Sequence, residues 1–449
     1  MKIKYLLQIL CSLCCLSACG QSQEAKGRTA PNGTNIDIIV KDSTLNRVFD
    51  ITDSCVRLYD SYADKLARRP SCVVYADEYA QFSALLATLP MDSLKAIYAK
   101  KGILRLRDIG ISPSLSPKIT HIRNNRLPLQ NIRIAIDAGH IAGSLKEAES
   151  REARFMKVRP NPADSSKDLT FWEANLTLAT AYYLKGLLEN QGATVFLPRA
   201  AAGRNADSLT FEEWKATKMA AVLKEEVAQK RMTAKEVAYY KKQATDAQLF
   251  QNVFNTIDLR RRAEKINDFQ PDMTVIVHYN AHQSDSKDRD RRGYTTPCAE
   301  NYYMAFVAGG FGGYEISRIE DRLTFLRLLL SDDVGESLRL AGNICQAFGK
   351  MGIPPANPQK YPALKYLNSV CLPTPYAGVF SRNLYLTRNI RGTVFYGEPL
   401  CQNNLAEAKA LAKQDFSFGN GAFATSLRVK AVAEAYFAGI MQYYGVAKP

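Results

Sequence analysis

The chain has 449 residues, which is enough for a sizeable core and an accessory domain. Lysine and arginine outnumber aspartate and glutamate by 59 to 44, and the formal net charge of +15 favours acidic polymers and anionic lipid headgroups as partners. Because the basic residues are scattered and no aromatic-basic binding motif stands out, nucleic acid is excluded as a partner.

The first 19 residues have the pattern of a bacterial lipoprotein signal. Met1-Lys-Ile-Lys4 is a basic start, residues 5–16 form a short apolar core, and Leu16-Ser-Ala-Cys19 has a small-residue cleavage pattern. The apolar core is too short to span a bilayer as a permanent helix. We therefore expect export, lipidation of Cys19 and anchoring in the cell envelope, at the outer membrane facing the periplasm. A plain secretory signal with a fortuitous cysteine is the alternative, and it also predicts export.

Two segments are predicted between this signal and residue 128. Residues 20–40 are rich in small and polar residues, which predicts a flexible tether. Residues 41–127 are predicted to be a helical N-terminal domain and linker, because apolar residues recur at helical spacing and prolines follow them. This domain either braces the rest of the chain or binds a partner. Cys55 and Cys72 are candidates for a bridge between two of its helices, although the six cysteines after the signal allow fifteen pairings.

Residues 128–449 contain four segments in which an apolar run adjoins a residue able to bind a metal or to transfer a proton beside it. Three are buried-type strands, Ile132–His140, Thr274–Asn280 and Thr393–Glu398, and the fourth is a helix start at Glu173. In open α/β sheets, ligands bind beyond the carboxyl ends of the strands, so these segments can meet at one place. Two histidines and a glutamate leave one zinc position free for water, and a second glutamate can take that water's proton. The predicted ligands are His140, Glu173 and His278, and the predicted proton acceptor is Glu398.

Two insertions interrupt this region, at about 200–257 and 283–331. From Phe211 to Asn255 there is no glycine or proline and apolar residues recur at helical spacing, so long amphipathic helices are predicted. They form either a lid or partner-binding arm near the strand ends, or a structural hairpin packed on the sheet. The second insertion contains Gly309-Gly-Phe-Gly-Gly313, which lacks the P-loop lysine and is not predicted to bind phosphate.

Ordered motifs surround the four metal-type segments. They are Asp137-Ala-Gly-His140, Glu173-Ala-Asn175-Leu176, Gly192-Ala-Thr-Val195 closed by Arg199, Leu259-Arg-Arg-Arg262 with Asn267, and Leu384-Tyr-Leu386-Thr-Arg388-Asn389. In order and spacing, this set resembles the zinc-dependent N-acetylmuramoyl-L-alanine amidases of the amidase-3 type, over about 132–199, 258–282 and 332–445. The chain departs from that family where Ile141-Ala142 follows the first histidine in place of two glycines, and where Pro399-Leu400 replaces a Gly-Phe pair.

The resemblance implies an α/β three-layer sandwich with a mixed central sheet and a zinc ion on the three predicted ligands. It also implies hydrolysis of the amide bond between the lactyl group of N-acetylmuramic acid and L-alanine in peptidoglycan. Glu398 would be the general base, and Asp137 would hold either a ligand's second nitrogen or the adjacent loop. Asn280 and Arg388 either orient substrate or support the sheet.

Peptidoglycan is the expected partner, with a membrane reached through the lipid anchor, and a protein activator is left open. Two other functions remain: a catalytically inactive lipoprotein that binds peptidoglycan or a partner, and another zinc peptidase that acts on envelope peptides. The filled zinc and catalytic positions favour an active enzyme. His282 lies four residues after His278, but the strand pattern argues against a helical His-x-x-x-His pair.

Overall fold

The computed structural model describes residues 33, 36–109, 127–151, 154–161, 163–282 and 293–446. The predicted signal with Cys19 lies outside these residues, as do most of the predicted tether and linker and the charged start of the second insertion. Among the described residues, no helix is both long and apolar enough to cross a membrane.

The N-terminal part combines helices with a small antiparallel sheet. Strands β1 (Phe49–Ile51), β2 (Cys55–Leu58) and β3 (Cys72–Tyr75) form this sheet in chain order. The helices are α1 (Ile36–Ile39), α2 (Tyr62–Leu66), α3 (Tyr79–Thr88), α4 (Met91–Lys101) and α5 (Leu106–Ile109). The prediction of a helical domain is therefore incomplete, because strands of three or four residues are too short to show alternation and their apolar residues also fit a helical spacing.

Cys55 and Cys72 do not bridge two helices. They lie on neighbouring strands, but Cys55 is opposite Tyr75 whereas Cys72 is opposite Leu58, so they stand at opposite ends of the β2–β3 ladder. Both thiols are free and buried, and burial raises the pKa of the Cys72 thiol. The suggested bridge is wrong because the cross-strand register separates the two side chains.

The segment Ile36–Val40 is docked on the rest of the protein, so the prediction of a flexible tether over residues 20–40 is wrong for these five residues. Its isoleucines are buried, and Val40 forms a β-bridge with Phe311. Gly309 makes this close approach possible, since a Cβ there would overlap the Ser381 hydroxyl and lie 2.6 Å from the carbonyl oxygen of Ile38. The glycine-rich motif of the second insertion is thus explained by backbone packing.

A mixed sheet of seven strands forms the centre of the molecule, which confirms the predicted α/β class. Its order is β10-β11-β9-β12-β8-β4-β7, in which β9 and β11 run antiparallel to β12. The strands are β4 (Arg133–Ala138), β7 (Thr194–Phe196), β8 (Met273–Val277), β9 (Met304–Val307), β10 (Leu372–Pro373), β11 (Val379–Ser381) and β12 (Thr393–Glu398). Two separate hairpins are formed by β5 (Phe155–Val158) with β6 (Leu169–Trp172), and by β13 (Phe416–Phe418) with β14 (Phe423–Thr425).

Helices cover both faces of this sheet, as the three-layer prediction requires. Ile134 and Ile136 pack into the main core, whereas the intervening Ala135 packs into a second cluster with Ala263 and Leu386, so alternate residues of one strand face opposite layers. The helices are α6 (Leu145–Ser150), α7 (Glu173–Glu189), α8 (Phe211–Thr217), α9 (Met219–Ala228), α10 (Ala234–Lys242), α11 (Asp246–Leu249), α12 (Asn255–Phe269), α13 (Ile319–Leu330), α14 (Asp333–Lys350), α15 (Leu367–Val370), α16 (Tyr385–Asn389), α17 (Leu405–Leu411) and α18 (Leu427–Tyr443).

The first insertion is helical, but its helices α8–α11 are short rather than long. A π-helical turn, Phe250–Phe254, then joins α11 to α12. Thr233 and Thr245 each start a new helix with a capping box, in which the threonine and a Glu or Gln three residues later satisfy each other's backbone N–H groups. The prediction of long helices is wrong because it took the absence of glycine and proline as evidence of continuity.

We expect Gly309→Ala to loosen the docked segment Ile36–Val40. The control is Gly352→Ala, because Gly352 has φ +81° but a Cβ added there would meet no atom within 4 Å. In the control, the free energy of unfolding should fall only by the cost of a left-handed backbone at alanine, about 1–2 kcal/mol. Gly309→Ala should lower the free energy of unfolding by about 1 kcal/mol more than the control, because alanine tolerates φ +143° no better than φ +81° and the Ser381 hydroxyl and the Ile38 carbonyl must also move. Urea unfolding of both variants checks this, and equal losses would contradict the packing argument.

Candidate metal centre

Three parallel strands end side by side at one edge of the sheet. β8 lies between β4 and β12, with Val277 opposite both Ala138 and Gly397. The ladder continues one residue further, since Gly139 N donates to Val277 O over 2.9 Å and His278 N donates to Gly397 O over 3.0 Å. The residues that follow these pairs, among them the predicted site residues of all three strands, therefore leave the sheet at the same edge.

His140, Glu173 and His278 form one cluster. His140 Nε2 lies 3.2 Å and His278 Nδ1 lies 3.0 Å from the same oxygen, Oε1 of Glu173. The two imidazoles meet edge to face at 4.8 Å, and the potential ligand atoms of all three residues lie within 4.8 Å of one another. The side chain of Glu173 is 2% exposed, that of His278 13% and that of His140 29%, so the cluster is open to solvent on the His140 side.

The Glu173 carboxylate is fixed by more than the histidines. Its Oε1 accepts a hydrogen bond from Tyr279 N (3.0 Å), and its Oε2 accepts one from Gln402 Nε2 (2.7 Å). Burial acts to raise the pKa of Glu173, but the charge of His140 and the hydrogen bonds with both histidines hold this pKa well below its usual range. The sequence did not single out Gln402, because no periodicity marks a residue in the turn after β12.

The donor set fits zinc. Burial lowers the pKa of His278 to about 4, so its imidazole is neutral at neutral pH, as a metal ligand must be. Beside it, Glu173 is an ionised carboxylate, and two imidazoles with one carboxylate are a known catalytic zinc set that leaves a fourth position open. The exposed side of the cluster is where that position would be reached.

The residues before His140 leave little freedom at the site. His140 has φ +57°, a left-handed conformation that residues other than glycine rarely adopt. The preceding Gly139 lies directly against the other histidine, since a Cβ on Gly139 would overlap the His278 imidazole. Its carbonyl oxygen accepts from Thr177 Oγ1 (2.7 Å) and from Arg199 (3.0 Å). The turn that delivers His140 is therefore held from the α7 side as well as from the sheet.

Asp137 lies behind the cluster, where the structure pairs it with an arginine. It is fully buried 3.4 Å from Arg262, which also binds Asp258 through Nε (2.5 Å). Burial raises the pKa of Asp137 against the opposing charge of Arg262. Arg262 and Arg199 both donate to the carbonyl oxygen of Ala138, over 3.1 and 2.9 Å. Of the two roles predicted for Asp137, this arrangement fits support of the adjacent loop.

Glu398 is the last residue of β12 and is half-buried. It directly follows Gly397, whose carbonyl accepts from His278 N, so Glu398 and His278 leave adjacent strands together. Burial raises the pKa of Glu398 to about 8, the charge of Glu173 adds to this rise, and Arg154 and Arg382 oppose it. An ionisable carboxyl group thus lies within electrostatic reach of the cluster.

The remaining predicted residues lie in other surroundings. Asn280 Nδ2 points to the Cys401 sulfur at 3.6 Å, and Arg388 is held by Asn383 (3.1 Å) and Asp321 (3.5 Å). These contacts fit the alternative in which both residues support the fold. His282 stays outside the cluster, as predicted, with its Nδ1 2.8 Å from the Tyr302 hydroxyl.

Solved amidase structures are similar to this chain. One is the CwlD amidase from Clostridioides difficile in complex with the GerS lipoprotein, at 15% identity and a TM-score of 0.36, covering 71% of this chain and 100% of that one. The catalytic domain of CwlV, an N-acetylmuramoyl-L-alanine amidase from Bacillus (Paenibacillus) polymyxa var. colistinus, has 14% identity and a TM-score of 0.34, covering 70% and 99%. The amidase Ami1 from Mycobacterium smegmatis has 13% identity and a TM-score of 0.36, covering 71% and 98%. No family model matches the chain, and no curated protein matches it significantly. At these low identities and TM-scores the matches are a likeness only, and the function must be argued from the site itself.

We expect His140→Ala and His278→Ala each to abolish zinc binding, because two remaining ligands cannot hold the ion tightly. His282→Ala is the matched control, since His282 is buried close by but binds Tyr302 instead of the cluster. Zinc content after dialysis, measured by mass spectrometry of the metal, should be near one per chain for the parent and the control. Near-stoichiometric zinc in both His140→Ala and His278→Ala would show that these histidines are not the zinc ligands.

Proposed function

We propose that this chain is an exported, zinc-dependent N-acetylmuramoyl-L-alanine amidase that remodels peptidoglycan, anchored through Cys19 to the outer membrane on its periplasmic side. The observation that carries the proposal is the meeting of His140, Glu173 and His278 beside Glu398 at one sheet edge. Such a site offers three zinc ligands, an open side and a separate carboxylate for proton transfer.

Contacts between distant motifs support the amidase assignment in particular. Arg199 and Arg262 come from two different motifs of the resemblance, yet both donate to the carbonyl of Ala138. Asn267 and Asn389 come from two further motifs and are joined by a hydrogen bond of 2.9 Å. The residues that carry the resemblance therefore contact one another in the folded chain, and the two arginines among them hold the strand end that leads to His140.

The chemistry assigns a role to each residue of the site. His140, Glu173 and His278 would hold the zinc ion, which when bound polarises a carbonyl group and makes a water molecule more acidic. The carboxylate of Glu398 accepts the proton of the attacking water and passes it to the departing alanine nitrogen. Because burial raises the pKa of Glu398 to about 8, its ionised form is a stronger base than the carboxylate of an exposed glutamate. Gln402 keeps Glu173 oriented throughout.

Digestion of purified peptidoglycan tests the proposed bond specificity. The parent protein should release stem peptides with a free L-alanine amino group and leave lactyl carboxylates on the glycan, and a chelator should stop the release. Mass spectrometry of both fractions identifies these ends. Cleavage within the stem peptide would instead indicate a zinc peptidase, and binding of peptidoglycan without cleavage would indicate an inactive binder.

Glu398→Gln should separate proton transfer from metal binding. The amide keeps the size of the side chain but cannot accept the proton, so turnover should fall on the order of a hundredfold or more. Zinc content should remain that of the parent, because Glu398 is not one of the three ligands. Muropeptide hydrolysis at the parental rate would show that another group is the base.

A further inference from the structure

The residue after the first predicted ligand is packed into the helical insertion. Ile141 directly follows His140 and is 1% exposed. It belongs to a hydrophobic cluster, here termed the insertion cluster, whose other buried members all come from the insertion: Phe211, Trp214, Leu223, Leu249, Phe250, Val253 and Phe254. The core of the insertion therefore includes one side chain of the loop that carries a metal ligand.

A buried arginine makes a second connection between this loop and the insertion. Arg151, at the end of α6, forms ion pairs with Glu147 (3.0 Å) and with Glu212 of the insertion (2.6 Å). Its guanidinium also lies over the rings of Phe211 and Phe250, at 5.2 and 5.3 Å from their centroids. The ion pair with Glu212 and the cation–π contacts with Phe211 and Phe250 are all made by one buried guanidinium, so Arg151 joins the end of α6 to the insertion.

The loop after His140 also contacts the first residues of the insertion. Glu147, which binds Arg151, also accepts a hydrogen bond from Gly143 N over 2.9 Å. Gly143 in turn packs against Gly203, where a Cβ would lie 3.0 Å from the Gly143 backbone. The segment 140–151 is thus fastened to the insertion at Ile141, Gly143 and Arg151.

His140 needs such support because its backbone is strained. A non-glycine residue at φ +57° persists only where the surroundings fix it. The hydrogen bonds to Gly139 hold the residue before it, and the insertion cluster holds the residue after it. Release of Ile141 would let the His140 backbone relax and turn its imidazole away from Glu173.

We propose that the helical insertion is a positioning element for the zinc site, which holds His140 in its strained conformation by enclosing Ile141. This inference rests on the proposed zinc site. A lid must be able to move away from the site. Here such a movement would expose Ile141 and the aromatic side chains around it to water, which opposes opening. The position also departs from the resemblance, which has a glycine where the insertion here encloses an isoleucine.

Zinc affinity of Ile141→Ala tests the proposal against a matched control. Ile316→Ala removes the same atoms from an isoleucine that is also 1% exposed but lies in the main core. Competition with a chromophoric zinc chelator should show a loss on the order of 10- to 100-fold for Ile141→Ala, as for other residues that support a ligand. Ile316→Ala should bind zinc like the parent, even if both variants unfold more easily.

The positioning role would be overturned if Ile141→Ala bound zinc with the affinity of the parent, or if both alanine variants lost the same zinc affinity. It would also be overturned if a folded chain in which a Gly-Ser linker replaces residues 208–255 digested peptidoglycan faster than the parent. If Ile141→Ala does not fold, the zinc affinities of Ile141→Val and Ile316→Val are compared instead. A smaller loss of affinity is then expected in Ile141→Val and none in Ile316→Val. Failure of the parent to bind zinc would instead overturn the proposed function, so the two failures are distinguishable.

Discussion

The carboxylate of Glu173 is the group on which the site depends. It is an ionised group removed from water, which is costly unless hydrogen bonds and opposite charges replace its hydration. Four partners from three other segments do so: His140, His278 with the adjacent Tyr279 amide, and Gln402. Since α7 begins at Glu173, the helix is positioned by the same contacts that arrange the histidines. Loss of this carboxylate would leave the imidazoles without their common acceptor and the Gln402 amide buried with one partner fewer.

Behind the cluster, charge balance allows two arginines to be buried in the sheet edge. Arg199 and Arg262 are opposed by Asp137 and Asp258, two cations against two anions. The arginines donate to the carbonyl of Ala138, where the strand ends and the regular ladder no longer satisfies every backbone group. Lysine would not serve as well in place of Arg262, because its single ammonium lacks the planar set of donors that here reaches two carboxylates and a carbonyl together. These buried charges thus fix the position of the strand end from which the turn to His140 starts.

Most of the central sheet, and the meeting of the three candidate ligands His140, Glu173 and His278, were predictable from the sequence for a local reason. Buried parallel strands are nearly continuous apolar runs, so the ends of β4, β8 and β12 can be located and their polar termini recognised. The three short N-terminal strands could not be found, because three or four residues do not distinguish a strand from a helix. The supports Gln402 and Arg151 were missed for another reason, since their roles arise only when segments more than fifty residues apart meet. The sequence left Arg388 with two roles, orientation of substrate or support of the sheet, and its ion pair with Asp321 fits the second.

The strained turn at His140 shows why such long-range contacts matter. Gly139 is held by Thr177 and Arg199, Ala142 accepts a hydrogen bond from Trp172 Nε1 (3.2 Å), and Ile141 is enclosed by the insertion. One hydrogen bond contributes only about 1 kcal/mol, which is comparable to the cost of the left-handed backbone, so no single contact could fix the turn. Several contacts from the sheet, α7 and the insertion together can do so. The position of His140, the first candidate ligand, is therefore determined by the sheet, α7 and the insertion together. In the proposed positioning role, a substitution inside the insertion would act on the proposed zinc site through the backbone of His140 rather than through access to the site.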